Sequence, residues 1–308
     1  MPEADFLRLP LGHVQAKPPR DDEVVTGMQA SNWMTPRERV RAYFRAGRPV
    51  HLPVDPTGPG PGEAFPFALL PGDPERVERI AAHLENPRII GRNREFTVAV
   101  GTYRGCGVTV CSTGIGGPST EIAVLELAAL GVHTLIRTGG TGALDARIPP
   151  GSLIINHAMM RDSGPVDAYA PPTYPAAAHP EVVAALTAAA EELGFAYTCG
   201  IGATTASYYQ GQGRAILPGG DEHLARFRHL GIINLEMEAA TLLALASLLG
   251  LRAGVVLGVH INRALDRWDD AYEATQDKVI RVALEAVRRL GRGGAAASKT
   301  AGGTSRRV

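Results

Sequence analysis

One segment of the sequence combines a glycine and an arginine in a way that suits an anion. In Leu70-Pro-Gly-Asp-Pro-Glu-Arg76, an apolar strand-like stretch ends at Gly72, and Arg76 follows one turn into an expected helix. Backbone N–H groups at a helix N-terminus bind phosphate, and a guanidinium beside them adds charge-assisted hydrogen bonds. A plain turn with a surface arginine is the alternative, so this segment is only a candidate phosphate site.

A second segment, Ile136-Arg-Thr-Gly-Gly-Thr-Gly-Ala143, also follows an apolar stretch. The charge of Arg137 at the edge of the core favours an anionic partner. Gly139, Gly140 and Gly142 leave backbone N–H groups free to form a nest around that anion. No Lys-Ser or Lys-Thr pair follows, so the segment does not predict a nucleoside triphosphate site. A purely structural tight turn is the alternative.

The segment Tyr208-Tyr-Gln-Gly-Gln-Gly-Arg214 carries groups that could recognise a heterocycle. Gln212 offers an acceptor and two donors, and Arg214 offers planar donors, a combination that fits the edge of an amide-containing ring. Tyr208 or Tyr209 could pack against a base or a sugar. A solvated loop is the alternative.

Two carboxylates precede a long apolar helix in Asn234-Leu-Glu-Met-Glu-Ala239. Carboxylates beside the core cost free energy unless they are paired or used. Glu238 could accept hydrogen bonds from two vicinal hydroxyls of a ribose. Acidic residues also favour helix N-termini, so capping of the helix is the alternative.

The elements that must position these segments alternate along the chain. We expect strands at residues 67–70, 96–102, 108–112, 132–137, 152–159, 195–203 and 252–261, and helices at residues 118–130, 180–193, 238–249 and 272–290 and from Asp73 onward. This pattern predicts an α/β fold, a single-domain three-layer sandwich whose central mixed, largely parallel sheet is covered by helices. Ligands in such folds bind where strands end.

Composition divides the chain into three parts. Residues 1–50 are polar, with a helix-compatible stretch at 36–45, and we interpret them as an N-terminal extension that a Pro/Gly-rich linker follows. Residues 51–290 form the expected catalytic domain. Residues 291–308 are rich in small and basic residues and are expected to be a disordered tail.

Charge and cysteine content exclude several classes of protein. Lys plus Arg and Asp plus Glu both number 31, which argues against a nucleic-acid partner. The stretch 240–259 contains polar residues and a capping glycine and is interpreted as a buried helix and strand, so no membrane partner is expected. No apolar signal segment opens the chain, and three scattered cysteines fit a reducing compartment. We therefore expect a soluble, cytoplasmic protein.

Taken together and in this order, the motifs resemble those of the type I nucleoside phosphorylase superfamily, most closely the uridine phosphorylases. The resemblance spans residues from about 51 to 290. It rests on Pro71-Gly-Asp-Pro-Glu-Arg76, Asn93-Arg-Glu-Phe96, Cys111-Ser-Thr-Gly-Ile-Gly-Gly-Pro-Ser-Thr120, Arg137-Thr-Gly-Gly-Thr-Gly142, Gly211-Gln-Gly-Arg214, Glu236-Met-Glu238 and Asn262-Arg263.

The resemblance implies a residue set for each part of the substrates. Phosphate would be bound by Gly72, Arg76, Arg137 and Gly140, with Arg94 supplied by the neighbouring subunit. Ribose would be bound by Met237 and Glu238, with His51 supplied by the neighbour, and the base by Tyr208, Gln212, Arg214, His260 and Ile261. Arg137, Glu238, Gln212 and Arg214 would carry the catalysis.

The resemblance also implies an assembly and a reaction. We expect a homodimer or homohexamer with shared active sites, and a monovalent cation such as K⁺ between subunits, at Glu95, Ile115 and Ser119. The reaction would be phosphate-dependent cleavage of a pyrimidine nucleoside to the free base and (deoxy)ribose-1-phosphate, with inorganic phosphate as co-substrate and no other cofactor. Purine-specific relatives have an Asp where this chain has Asn262, which cannot act as an acid; this favours a pyrimidine.

Two residues depart from the family's pattern and keep alternatives open. Gly140 stands where the family usually has Thr or Ser, and His260 replaces an aliphatic residue near the base, where a satisfied core histidine is the simpler interpretation. The alternatives are a phosphorylase for a modified or non-uracil nucleoside, a hydrolytic nucleosidase, and a non-catalytic nucleoside-binding paralogue.

Overall fold

A mixed sheet of eleven strands forms the centre of the fold. The computed structural model describes residues 34–56, 64–214 and 216–301. The strands are β1 (Phe67–Leu70), β2 (Glu85–Asn93), β3 (Phe96–Tyr103), β4 (Cys106–Cys111), β5 (Thr134–Ala143), β6 (Leu153–Arg161), β7 (Ala176–Ala177), β8 (Tyr197–Thr204), β9 (Asn234–Glu236), β10 (Arg252–Asn262) and β11 (Arg267–Trp268). The helices are α1 (Pro36–Ala42), α2 (Pro74–Ala81), α3 (Gly117–Ala129), α4 (Pro180–Glu192), α5 (Gly220–His229), α6 (Ala239–Leu248) and α7 (Tyr272–Ala301).

Helices cover both faces of the sheet, which confirms the three-layer arrangement. Alternate side chains of β1 point to opposite faces, as the pleat of a strand requires. Ala68 and Leu70 belong to the core under α3 and α6. Leu69 belongs to the second core, under α2, α4 and α7. The two cores therefore form on either side of the same strands.

The sheet is less parallel than expected. Strand β1 lies parallel to β4 and β5, and β5 to β10, while β6, β8 and β9 form two further parallel pairs. The other six pairs are antiparallel, one more than the five parallel pairs. Strand β10 pairs with both β5 and β6, so β10, β6, β8, β9 and β5 close into a ring. Two of the antiparallel pairs, β10–β6 and β5–β9, belong to this ring.

The glycine-rich segment after Arg137 is not the turn that the sequence predicts. Strand β5 continues through it to Ala143, and Gly140 lies opposite Gly258 of β10. A nest needs successive residues of opposite backbone handedness. The glycines at 139, 140 and 142 are not among those with positive φ, so the predicted nest is wrong. Strand β10 pairs along these glycines on one side, while on the other side β1 ends opposite Arg137 and the pairing with β9 starts at Gly142.

Strand β10 contains one residue more than its partner. Val259 lies opposite Thr141 and Ile261 lies opposite Gly142, so His260 has no partner in β5. A bulge of this kind bends a strand and re-aims a side chain, and such bulges are common beside active sites. The bulge decides the direction of the His260 side chain.

The ends of the folded unit differ from the predicted domain boundaries. Helix α1 ends at Ala42 rather than 45, and Arg41 Nη2 donates to the carbonyl of Ala129 at the end of α3 (2.6 Å), so the unit begins before residue 51. A compact unit runs from residue 36 onward. Helix α7 continues to Ala301, where a disordered tail was expected from Gly291. Most of the predicted extension, all but the first residue of the Pro/Gly-rich linker predicted at 56–62, and residues 302–308 lie outside the described residues.

The segment that could pass for a membrane span divides between two elements. Residues 240–248 belong to α6, and β10 begins at Arg252. In the part of the chain that the structure describes, no helix has the length and apolar content needed to cross a membrane.

Candidate active site

A cavity of about 980 Å³ collects most of the predicted site residues. It lies where β1, β5, β9 and β10 end, at the edge of the sheet that α/β folds use for ligands. The predicted residues that line it are Gly72, Arg76, Glu95, Ile115, Ser119, Arg137, Gly140, Tyr208, Gln212, Arg214, Met237, Glu238, His260 and Ile261.

Arg137 is buried at one end of this cavity, and only one of its three guanidinium nitrogens has a hydrogen-bond partner in the described residues. Its Nη2 donates to Glu238, and its Nε lies 3.5 Å from Glu236 Oε2 without hydrogen-bond geometry. Its Nη1 also lacks a hydrogen-bond partner in the described residues. A Cβ on Gly139 would lie 3.1 Å from Nη2, so the glycine gives the guanidinium its space. A buried guanidinium with unpaired N–H groups is suited to an anion.

Arg76 extends from α2 toward the same end. Its Nη1 donates to Gln276 Oε1 (3.3 Å), and its Nε is buried without a hydrogen-bond partner among the described residues. Burial lowers the pKa of Arg76, and the nearby charge of Arg137 lowers it further, although Tyr272 and Asp73 oppose this. A bound anion would relieve both effects. Gly72, at the end of β1, faces Arg137: a Cβ there would lie 3.6 Å from Nη1.

The two carboxylates before α6 have different roles. Glu236 Oε2 accepts from the backbone N–H groups of Glu238 (2.9 Å) and Ala239 (2.8 Å), and Thr204 donates to Oε1. Glu236 therefore caps the helix, which was the alternative interpretation of this segment. Burial raises the pKa of Glu236 to about 7, with a contribution from the charge of Glu238 and opposition from Arg137.

Glu238 instead faces the cavity. One carboxylate oxygen accepts from the backbone N–H of Gly116 (2.7 Å), and the other accepts from Arg137. The carboxylate is thus fixed in place beside the anion end, with Met237 next to it on the cavity wall. A fixed carboxylate acceptor is what binding of sugar hydroxyls requires.

The opposite end of the cavity carries amide and guanidinium groups. Arg214 Nη1 donates to Gln212 Oε1 (3.0 Å) and to the carbonyl of Tyr208 (3.0 Å). Its guanidinium lies 3.9 Å from the centre of the Tyr208 ring. Arg263 Nη1 donates to the backbone carbonyl of Gln212 (2.9 Å) and holds the segment from the outside. Gln212 and Arg214 thus lie side by side, as recognition of a ring edge requires.

His51 and Arg94 do not line this chain's own cavity. Glu126 accepts from the backbone N–H groups of His51 and Leu52, and its Oε1 lies 2.9 Å from His51 Nδ1. Asn93 Nδ2 donates to the carbonyl of His51 (2.7 Å), which places His51 beside the β2–β3 turn that contains Arg94. Two predicted site residues therefore lie together outside the cavity.

The predicted cation residues lie at the rim. A Cβ on Gly114 would lie 2.8 Å from Glu95 Cγ and 3.2 Å from Ser119 Oγ, so these two side chains approach the same point. Ser119 Oγ donates to the carbonyl of Gly116 (3.3 Å). Oxygen donors suit a hard cation. The described residues contain no group of three or more His, Cys, Asp or Glu side chains placed to hold a metal ion.

Asn262 is buried outside the cavity lining. Its Nδ2 donates to the carbonyls of Asp145 (2.8 Å) and Ile148 (2.7 Å), and its Oδ1 accepts from the N–H groups of Ala264 and Leu265. All of its hydrogen-bonding capacity is therefore used in holding two loops together.

Sequence reasoning missed several residues of the site. Gln276 and Asp269 contact the cavity residues Arg76 and His260, and Arg263 holds Gln212. Gln276 lies in the first turns of an amphipathic helix, where a polar residue is ordinary and gives no signal. Arg263 was part of a recognised motif, and its position two residues after a strand end could have suggested a role.

The chain is similar in sequence to a family of known proteins. Residues 66–292 match the phosphorylase superfamily. A uridine phosphorylase of Thermococcus kodakarensis is 46% identical over 235 residues, 75% of this chain and 84% of the relative. A uridine phosphorylase of Escherichia coli is 40% identical over 232 residues, 73% of this chain and 92% of the relative. A guanosine phosphorylase of Halorubrum lacusprofundi is 34% identical over 238 residues, 74% of this chain and 95% of the relative. The chain therefore belongs to the phosphorylase superfamily, among the nucleoside phosphorylases that are similar to uridine phosphorylase.

Proposed function

We propose that this protein is a uridine-type nucleoside phosphorylase, a pentosyltransferase that converts a pyrimidine nucleoside and phosphate into the free base and (deoxy)ribose-1-phosphate. The observation that carries the proposal is the pair of buried guanidiniums, Arg76 and Arg137, with unpartnered N–H groups at one end of the cavity. A hydrolase that uses water has no need of them, since buried guanidinium N–H groups that stay unpaired are costly.

The cavity supplies a group for each change of bonding. Arg76 and Arg137 hold phosphate beside C1′, which removes much of the entropic barrier to attack. A C1′–O bond to phosphate forms as the C1′–N bond breaks, and the electron pair of that bond leaves with the base. Glu238 accepts hydrogen bonds from the ribose hydroxyls and orients the sugar. Its negative charge also stabilises the positive character that develops on the ribosyl centre.

Gln212 and Arg214 act on the leaving base. Negative charge develops on the carbonyl oxygens of a pyrimidine as it departs, and donors already aimed at those oxygens bind the transition state more tightly than the ground state. A uracil anion delocalises its charge and needs no general acid in the site. Because Asn262 is occupied in loop contacts, the preference for a pyrimidine is supported by Gln212 and Arg214 and by the uridine phosphorylase relatives.

The active site is proposed to be shared between subunits. His51 and Arg94 lie together outside their own chain's cavity, and a neighbouring copy would receive them at its ribose and phosphate positions. The dimer would be the basic unit, alone or within a hexamer. A monovalent cation held by oxygen donors of Glu95, Ile115 and Ser119 is proposed at the same interface.

A cytoplasmic location is also proposed. It is supported by the three cysteines, all of which are free thiols.

The test is release of free base from uridine, thymidine, inosine and guanosine, each with and without inorganic phosphate. Phosphate-dependent release from uridine or thymidine, with the purine nucleosides inert, is the expected result. Release of guanine in preference to uracil would move the protein toward the guanosine phosphorylase relative. Release without phosphate would establish a nucleosidase, and tight nucleoside binding without any release would establish a binding protein.

A further inference from the structure

His260 and the missing side chain at position 140 are two sides of one packing relationship. A Cβ on Gly140 would lie 2.5 Å from His260 Cδ2 and 3.0 Å from its Nε2. Real Cβ atoms essentially never come closer than 3.0 Å to such an atom. Gly140 and His260 lie on the paired strands β5 and β10. The imidazole can occupy its position only because residue 140 is glycine.

The backbone directs the imidazole to this place. His260 is the extra residue of the β10 bulge, between partners in register on either side. Its ring packs against Tyr272 at 4.3 Å between centroids, and its backbone carbonyl accepts from the N–H of Asp269 (2.9 Å). The imidazole is therefore packed against Tyr272 and lies next to Gln276, which bonds Arg76 at the anion end of the cavity.

A chain of hydrogen bonds joins His260 to Arg76. Arg76 Nη1 donates to Gln276 Oε1 (3.3 Å), Gln276 Nε2 contacts His260 Nε2, and His260 Nδ1 lies 3.3 Å from Asp269 Oδ2. The two ends determine the direction of the whole chain. A guanidinium can only donate, so Gln276 must accept with its oxygen and donate with its nitrogen.

His260 Nε2 must consequently accept, and its proton resides on Nδ1, where it is donated to the carboxylate of Asp269. This is the neutral form of the imidazole. Burial lowers the pKa of His260 and the charge of Arg76 lowers it too, which favours this form, although Asp269 opposes them. Asp269 is held in turn by the backbone N–H of Ala271 (3.0 Å).

We propose that His260 is a positioning residue of the phosphate site: together with Gln276 and Asp269 it holds the Arg76 guanidinium toward the anion, and Gly140 provides the room that this requires. The inference rests on the proposed function, since it assumes that the anion is the phosphate co-substrate. It changes the expected role of His260, which the sequence suggested would contact the base. The space that a side chain at position 140 would fill is thus occupied by the His260 imidazole.

The first test compares His260→Leu, which cannot accept a hydrogen bond, with His260→Gln, which can. His260→Leu is expected to raise the KM for phosphate about tenfold, as for loss of one hydrogen bond to a charged group, with kcat at saturating phosphate and the nucleoside KM within about twofold. His260→Gln is expected to recover most of the phosphate KM. Gln276→Leu should match His260→Leu, and the double variant should be no worse than either single variant.

Asp277→Asn is the matched control, because Asp277 is adjacent to Gln276 but faces His83 and Arg281 instead. It should leave both KM values unchanged. Gly140→Thr should lose phosphate affinity by displacing the imidazole, to about the same extent as His260→Leu. Thermal unfolding of each variant identifies any that fails to fold, and the remaining variants then carry the comparison.

Calorimetric titration of the apoprotein with inorganic phosphate separates the two proposals. Weaker phosphate binding in His260→Leu and Gln276→Leu than in the wild type supports the positioning role. Equal phosphate binding in all of them, or a change confined to the nucleoside KM, overturns it while the proposed function stands. A wild-type protein that neither binds nor consumes phosphate overturns both.

Discussion

Glu238 bonds Arg137 with one carboxylate oxygen and the backbone N–H of Gly116 with the other. The first contact reaches strand β5 and the second reaches the turn before α3, so one side chain joins three parts of the fold at the cavity. The groups proposed to bind the sugar and the anion are therefore joined in one unit. A change at either residue should affect the binding of both substrates.

Glu238→Gln should weaken this unit while preserving its shape. The amide oxygen can keep the bond to Gly116, but the amide NH₂ then faces Arg137, where two donors meet. We expect kcat/KM for the nucleoside to fall about 10- to 100-fold, the size of one or two charge-assisted hydrogen bonds. Steady-state kinetics at saturating phosphate measure it, with the exposed, distant Glu181→Gln as control. Unchanged kinetics would remove Glu238 from the site.

Arg137→Lys should separate charge from geometry. The ammonium keeps the positive charge but loses the planar donors that reach Glu238 and an anion together. We expect kcat/KM for phosphate to fall about 10- to 100-fold. Arg147→Lys, at an exposed arginine paired only with Asp145, should leave it unaltered. A variant with wild-type phosphate dependence would show that a point charge is sufficient here.

Glu236 should make stability depend on pH. Its pKa is about 7 in the folded protein, raised by burial first and by Glu238 second, whereas a carboxyl of an unfolded chain has a pKa of about 4.3. Between these values the folded state holds more protons than the unfolded state. The contribution of Glu236 to the free energy of unfolding therefore falls as the pH rises through this window.

Glu236→Gln removes that titration, so its stability relative to the wild type should increase from pH 5 to pH 8. Thermal unfolding across this range measures the difference, with Glu191→Gln, at an exposed residue bonded to Tyr197, as control. A difference that stays constant with pH would show that Glu236 has the same pKa in both states. The amide oxygen of the variant can still accept the N–H groups at the start of α6, so the variant keeps the helix cap and loses only the titration.

Shared active sites predict complementation between inactive subunits. Arg94→Ala removes a residue given to the neighbour, and Arg137→Lys damages the chain's own site. A mixed dimer of the two variants has one site with both changes and one intact site. Subunits that mix at random in a two-fold symmetric dimer should recover about a quarter of the wild-type activity. Recovery of none, with mixing verified by mass spectrometry, would place Arg94 in its own chain's site.

Much of the fold could be predicted because local signals agreed with the tertiary structure. Strand β1 and the start of α2 match the expectation, since an apolar run, a capping Asp73 and Pro74 at the first helical position act together. Asp73 does accept from the N–H of Glu75 (2.9 Å). Strands were expected at 96–102 and 108–112, and β3 and β4 lie there as an antiparallel pair.

Other elements gave no such signal. Strand β2 is an exposed edge strand of mixed polar residues without alternation, and α5 is a short, charged helix that begins at a glycine. The continuation of β5 through its glycines was missed because glycine usually marks a turn, whereas here the small residues leave room for the Arg137 guanidinium and for the His260 imidazole of β10. Gln276, 200 residues from Arg76 in sequence, joins the site only through the packing of α7.

Some of the cavity residues lie on the closed ring of strands, and others lie on a connection outside it. Arg137 and His260 lie on β5 and β10, neighbours within the ring, so neither can move without distorting the other strands. Gln212 and Arg214 lie on a connection outside the ring, held mainly by Arg263. With the roles proposed above, phosphate binding is thus built into the scaffold, while recognition of the base is assigned to one connecting segment. Transplanting that segment between relatives offers a route to new nucleosides that leaves the reaction itself untouched.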